Sequence, residues 1–142
     1  MNRIVYADTS ALAKLLSDEE ESPSLKAWIA GIEGLVVVSS DLVRIELMRA
    51  IRRTHPGAAP SVRALLNTLL LIPISSDICD SAARLDPPSL RSLDAIHLAT
   101  ALVVGDDVEA ILTYDDRLAE ASLGYGLKAI APGSSGPHPQ LQ

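Results

Sequence analysis

Ile4-Val5-Tyr6-Ala7 is an apolar, strand-favouring run with no polar alternation, and it ends on a carboxylate, Asp8. Such a run suits a strand covered on both faces, as in a parallel sheet. Thr9 and Ser10 follow, and Ser10 is placed to cap a helix over residues 11–16. A buried strand passing through a carboxylate into a helix sets that carboxylate on the edge where open α/β sheets bind ligands. Alone, Asp8 reads equally well as a turn residue.

The rest of the chain repeats the alternation. Ser22 as N-cap and Pro23 as first helical position open a helix carrying Leu25, Trp28, Ile29 and Ile32 at helical spacing, with Trp28 as a core anchor. Gly34 breaks the chain before a second buried strand at 35–38, and Ser39, Ser40 or Asp41 caps a helix to about Arg53. A helix over 58–70, a short extended stretch at 72–74 and a helix from Ser75 or Ser76 to Arg84 come next. Pro87-Pro88 precedes a helix to Val104, with Gly105 as its C-cap. Strands at 110–113 and 128–130 flank a short helix capped by Asp115 or Asp116. Strands alternating with helices predict an α/β fold: a parallel sheet of four to five short strands between helical layers. We expect one domain over 1–132, and a disordered tail over 133–142, where Gly, Ser, Pro, His and Gln offer little to pack.

Phe is absent, so the core must be aliphatic. The single Cys79 excludes an internal disulfide and reads as a small buried residue in a reducing compartment. No signal-peptide pattern or membrane-length apolar segment is present, which predicts a soluble cytoplasmic protein. The net charge of −6 argues against broad adhesion to nucleic acid, though not against a nucleic-acid enzyme whose acids a cation neutralises.

Four acids occupy special places. Asp8 ends the first strand, and Glu46 lies on the helix after the second. Asp94 starts a helix that is apolar almost all round, and Asp115 follows the fourth strand. If the first and fourth strands are neighbours, all four side chains can meet in one cleft. Each has a plainer reading: Asp94 as a helix-dipole charge, Asp115 as a cap, Glu46 as an ion-pair partner of Arg49. A helix apolar all round is buried, however, so a carboxylate at its start is not freely solvated. Two carboxylates about 4 Å apart repel by roughly 4 kcal/mol at an effective dielectric of about 20, so a cluster needs a counter-charge. Oxygen ligands without Cys/His spacing point to Mg²⁺, with Mn²⁺ as the alternative, rather than zinc. Such an ion can drive hydrolysis of a phosphodiester.

Tyr6-Ala7-Asp8-Thr9-Ser10-Ala11-Leu12 resembles the opening of PIN-domain ribonucleases, in particular VapC-type toxins of bacterial toxin–antitoxin pairs. Ser92-Leu93-Asp94-Ala95-Ile96-His97-Leu98-Ala99-Thr100-Ala101 and Leu112-Thr113-Tyr114-Asp115-Asp116-Arg117-Leu118 are similar to their third and fourth acidic motifs. Arg44-Ile45-Glu46-Leu47 resembles the second and is the least specific. The resemblance implies a PIN-like three-layer sandwich with catalytic, metal-binding carboxylates Asp8, Glu46, Asp94 and Asp115. It assigns supporting roles to Thr9, Ser10 and Thr113, and selects Asp115 over Asp116 by its place two residues after the Thr. It further implies a Mg²⁺-dependent endoribonuclease, a homodimer, and a cognate VapB-type antitoxin whose C-terminal segment covers the cleft.

His97 reads first as a packing or hydrogen-bonding residue. With Arg49, Arg53 and Asp116 it is also counted as a contact for RNA or antitoxin. Rival readings fail on single residues: a haloacid-dehalogenase-type phosphotransferase needs an Asp where Ser10 stands, and a receiver domain needs a Lys that Thr113-Tyr114-Asp115 does not supply. A catalytically silent PIN-like binding module is the remaining alternative, against which stand the four acids.

Overall fold

The computed structural model describes residues 2–134. β1 (Arg3–Ala7), β2 (Leu35–Ser40), β3 (Leu70–Ile72), β4 (Val108–Leu112) and β5 (Ala129–Ile130) form one sheet in the order β3-β2-β1-β4-β5. Every pairing is parallel. The central strands are apolar on both sides because both faces are covered. Val5, Ala7, Ala110 and Leu112 point to one core, and Tyr6, Val38 and Ile111 to the other, following the two-residue period of a strand.

The first core lies under α1 (Thr9–Leu16), α2 (Ser22–Ala30), α3 (Val43–Thr54) and α4 (Ala59–Leu66). The second lies under α6 (Ser92–Val104) and α7 (Asp116–Gly124), with α5 (Ser76–Ala83) packed on α6. A 3₁₀ turn at Pro56–Ala58 joins α3 to α4. Trp28 packs against the first core as an anchor, partly buried. β1 and β4 are neighbours, with a register shift between Ile4 and Tyr6. The carboxyl ends of β1 and β4, and the starts of the helices that follow β1, β2 and β4, therefore share one rim.

Several local expectations are corrected. Asp8, not Ser10, caps α1: it has extended backbone and accepts the Ala11 N–H, while Ser10 is already helical. Ser22 is the first residue of α2, and Glu21 precedes it as cap position without a side-chain bond. β2 runs on to Ser40, whose hydroxyl accepts the Leu42 N–H and turns the chain into α3. The fourth helix stops at Leu66, because Leu70–Ile72 pairs with β2 instead. Cys79 is exposed: α5 turns Ile78 inward, and a neighbour one residue on points about 100° away. Gly105 closes α6 at φ 93°, a conformation that suits glycine.

Tyr114 donates its hydroxyl to the Pro132 carbonyl at 2.7 Å, tying the chain after β5 back onto the domain. The tail expected to be disordered lies, from residue 135, outside the described residues. Among the described residues no helix is long and apolar enough to cross a membrane.

Candidate active site

Asp8 leaves β1 at the rim and is only 3% exposed. Its Oδ1 accepts from the Ser10 hydroxyl at 2.7 Å and the Ala11 N–H at 3.1 Å, and its Oδ2 from the Thr113 hydroxyl at 2.6 Å. Ser10 in turn accepts the Tyr114 N–H at 2.9 Å, and Thr113 accepts the Asp115 N–H at 3.1 Å. Three short polar side chains thus stitch the start of α1 to the end of β4. Burial pushes the Asp8 carboxyl above the usual range, against the opposing pull of His97 and these hydrogen bonds.

Asp115 caps α7: its Oδ1 accepts the N–H groups of Arg117 and Leu118 at 2.9 and 3.2 Å. Asp116 is the first helical residue beside it and is exposed. Asp94 stands in the first turn of α6, half-buried. Its carboxyl is raised first by burial, then by repulsion from Asp115 and Asp8, with Glu46 adding to it and His97 offsetting part. That pattern places the four acids in one electrostatic neighbourhood.

Glu46, in the first turn of α3, accepts from the Thr9 hydroxyl at 2.6 Å and pairs with His97 Nε2 at 2.9 Å. Burial opposes its ionisation, yet the His97 and Thr9 hydrogen bonds and the His97 charge together leave its carboxyl below the usual range. Glu46 can only accept, so the geometry assigns a proton to Nε2 of His97. Nδ1 lies within hydrogen-bond distance of the Tyr6 hydroxyl, at 2.7 Å. His97 is 2% exposed and Tyr6 fully buried, their rings edge-to-face with centroids 5.8 Å apart.

This chain of Tyr6, His97 and Glu46 corrects the expectation that His97 touches RNA or antitoxin: it is buried and holds Glu46 from beneath. Tyr6 was read only as a strand residue. The signal lay in its type, since a tyrosine inside a buried strand must find a partner for its hydroxyl. Arg49 and Arg53 are exposed on α3 and form no ion pair among the described residues.

Among the described residues no three His, Cys, Asp or Glu side chains are already grouped in a metal-holding geometry. The donor chemistry nevertheless fits a hard divalent cation. The acids offer only oxygen, both His97 nitrogens are engaged, and the like-charge repulsion raising Asp94 is what a cation would relieve.

The shifts oppose one another in their effect on stability. Just above the ordinary aspartate range the folded chain holds more protons on Asp8 and Asp94 than the unfolded chain, so stability falls as pH rises through that window. The contribution of Glu46 is complete above the ordinary glutamate range and is lost as pH falls through its lowered value. In EDTA, melting temperature should therefore rise as pH is first lowered from neutral, then fall below the glutamate range. A melting temperature that only falls on acidification would contradict this account.

Residues 5–123 match the PIN domain family. The chain is 42% identical over 134 residues to ribonuclease VapC35 of Mycobacterium tuberculosis, spanning 93% of this chain and 99% of that protein. Its fold is similar to that of M. tuberculosis VapC20, described as a sarcin–ricin loop cleaving toxin, with TM-score 0.64 at 18% identity over 82% of this chain and 94% of that one. It is also similar to a chain of a toxin–antitoxin complex from Klebsiella pneumoniae, with TM-score 0.60 at 27% identity over 78% of this chain and 86% of that one.

Proposed function

The chain belongs to the PIN-domain family, and from that premise we propose that it is a divalent-metal-dependent endoribonuclease acting as the toxin of a toxin–antitoxin pair. The observation that carries the chemistry is the half-buried Asp94 at the rim of the sheet, with Asp115, Asp8 and Glu46 all close enough to raise its carboxyl. Asp8, Glu46, Asp94 and Asp115 would hold the ion, Mg²⁺ in the first place and Mn²⁺ as a substitute on the same oxygen set. Once bound, such an ion activates water and answers charge on the phosphate during an in-line displacement.

The chain's own residues prepare that arrangement. Thr113 and Ser10 fix both oxygens of Asp8, and Thr113 also accepts from the Asp115 backbone. Thr9 and His97 fix Glu46, and the Tyr6 hydroxyl anchors the other ring nitrogen of His97. Asp94, with no hydrogen bond among the described residues, remains free to turn toward a ligand. Residues up to Pro132 make the nuclease domain. A VapB-type antitoxin, a homodimeric state and a cytoplasmic setting belong to the same reading.

Purified protein should cut RNA in Mg²⁺ or Mn²⁺ and not in EDTA, and its expression without antitoxin should slow bacterial growth. Folded protein that cuts no RNA with either ion would favour the silent binding module. Cutting that is equal in EDTA would remove the metal.

Arg49 and Arg53 follow Glu46 on α3 at steps of three and four, and Arg suits phosphate contacts. Replacing both by Ala should weaken RNA binding and flatten its salt slope by about 1.4, the value for two phosphate contacts on a single strand. An unchanged slope would remove them from the interface.

A further inference from the structure

A cavity of about 910 Å³ lies between α7 and the loop that leads into α6. Arg117, Glu120 and Gly124 line it along one face of α7, with Tyr125 at the far end and Asp86 and Leu90 opposite. Its Arg117 end is in the first turn of the helix that Asp115 caps, and Leu90 lies a few residues before Asp94. The far end is about 12 Å further along α7 at 1.5 Å per residue. The cavity therefore runs away from the acidic rim and within reach of it. Its volume is in the range of small-molecule sites, roughly 300–1,000 Å³.

Its chemistry is mixed. Leu90 gives an apolar wall, and the Tyr125 hydroxyl accepts the Asp86 N–H at 2.8 Å, which fixes the ring in place. The side chains of Asp86, Arg117 and Glu120 make no ion pair among the described residues. Two carboxylates inside the cavity repel a phosphate. A single guanidinium at the end nearest the acidic rim attracts one. An apolar, aromatic-walled space with acceptor oxygens suits a flat, uncharged ring with N–H donors on its edge.

Resting on the ribonuclease reading, we infer that this cavity is a nucleobase subsite for a nucleotide flanking the scissile phosphate. Arg117 holds the adjoining phosphate at the mouth, and Asp86 and Glu120 select the base. Guanine is the preferred occupant, because N1–H and the exocyclic amine present two donors on one edge to a carboxylate. Uracil offers one N–H between two carbonyls and is disfavoured.

Two arms test this. In EDTA, where no cleavage occurs, the protein is titrated by NMR with GMP and with UMP. GMP should shift the amides of Asp86, Ser89, Leu90 and residues 117–125, and UMP should leave them in place. In Mg²⁺, cleavage of a random-sequence RNA pool is mapped for the parent, Glu120→Gln, Asp86→Asn and Gly124→Phe. The parent should favour G at one fixed position beside the cut. Glu120→Gln and Asp86→Asn should each relax that preference roughly tenfold, the scale of a lost base-edge pair. Gly124→Phe should raise KM, since a Cβ built there meets nothing within 4 Å and the ring would fill the cavity.

No shift with GMP, or an unchanged preference in both carboxylate variants, overturns the subsite. GMP shifts without any cleavage support the subsite and sink the ribonuclease reading. A Gly124→Phe variant that loses antitoxin capture yet cuts like the parent gives the cavity to the protein partner, and overturns the proposal.

Discussion

Asp94→Asn should melt higher than the parent in EDTA and lose RNA cleavage. Asp94 is held half-buried against three other carboxylates, and burial and repulsion both raise its carboxyl. Replacing it with a neutral side chain of the same shape relieves that strain. After discounting for solvent screening the gain is about 1 kcal/mol, or about 3 °C for a domain of this size. Cleavage should fall at least about a hundredfold, the usual loss when one preorganised electrostatic group is removed. Added Mg²⁺ should raise the melting temperature of the parent and raise that of Asp94→Asn less.

If Asp94 were only a favourable charge at a helix start, the same change would lower stability by about 0.3–1 kcal/mol and leave cleavage intact. The two accounts differ in sign, so one melting series and one cleavage assay decide between them. Asp116→Asn serves as the control that keeps activity. A dead Asp116→Asn beside an active Asp115→Asn would reassign the fourth acid.

Asp8→Ala should lose cleavage too, but it should melt lower. Three donors converge on the Asp8 carboxylate: the Ser10 and Thr113 hydroxyls and the Ala11 N–H that starts α1. Truncation leaves the buried Thr113 hydroxyl and the partly buried Ser10 hydroxyl without this acceptor, and the Ala11 N–H without its cap. An orphaned buried donor costs about 1–3 kcal/mol and a lost cap about 1, partly offset by no longer burying a charge. The expected net loss is about 3 kcal/mol, or about 9 °C in melting temperature. Faster hydrogen exchange at Ala11 and Leu12 should accompany it. Asp8→Asn keeps a carbonyl acceptor for the cap and puts an amide toward Thr113, whose hydroxyl can accept. It should stay within about 1 kcal/mol of the parent while remaining inactive. If Asp8→Ala melted with the parent, the hydrogen bonds drawn to Asp8 would not be holding this corner.

Much of this architecture was legible because the chain writes it locally. An unalternated, strand-favouring run such as Ile4 to Ala7 suits a doubly covered strand, and strands alternating with helices favour parallel pairing. Asp94 stood out because a carboxylate opens a helix that is apolar almost all round, although the fold leaves Leu93 and Val103 of that helix exposed. What stayed hidden was non-local or a matter of one residue's offset. Ser10 and Asp8 are both good caps, and only the extended backbone at Asp8 shows which one is used. Cys79 looked like a core residue by type, but α5 is half-exposed and its phase is set by Ile78. The Tyr6–His97–Glu46 chain joins β1, α6 and α3, which no spacing along the sequence connects. The neighbouring of β1 and β4, on which the convergence of the acids depends, was a condition in the sequence and is an observation in the fold.

The sheet ends abruptly on both sides. β3 has three residues and is followed by Pro73, and β5 has two and is followed by Ala131 and then Pro132. A strand from another molecule needs a row of unpaired backbone groups to zip onto, and rows this short, each with a residue lacking an N–H within two positions of its end, provide few. Recognition by sheet extension is thereby disfavoured. On the proposed reading, an antitoxin would engage helix faces or insert side chains over the acidic rim, and its specificity would then rest on side-chain identity rather than on backbone pairing.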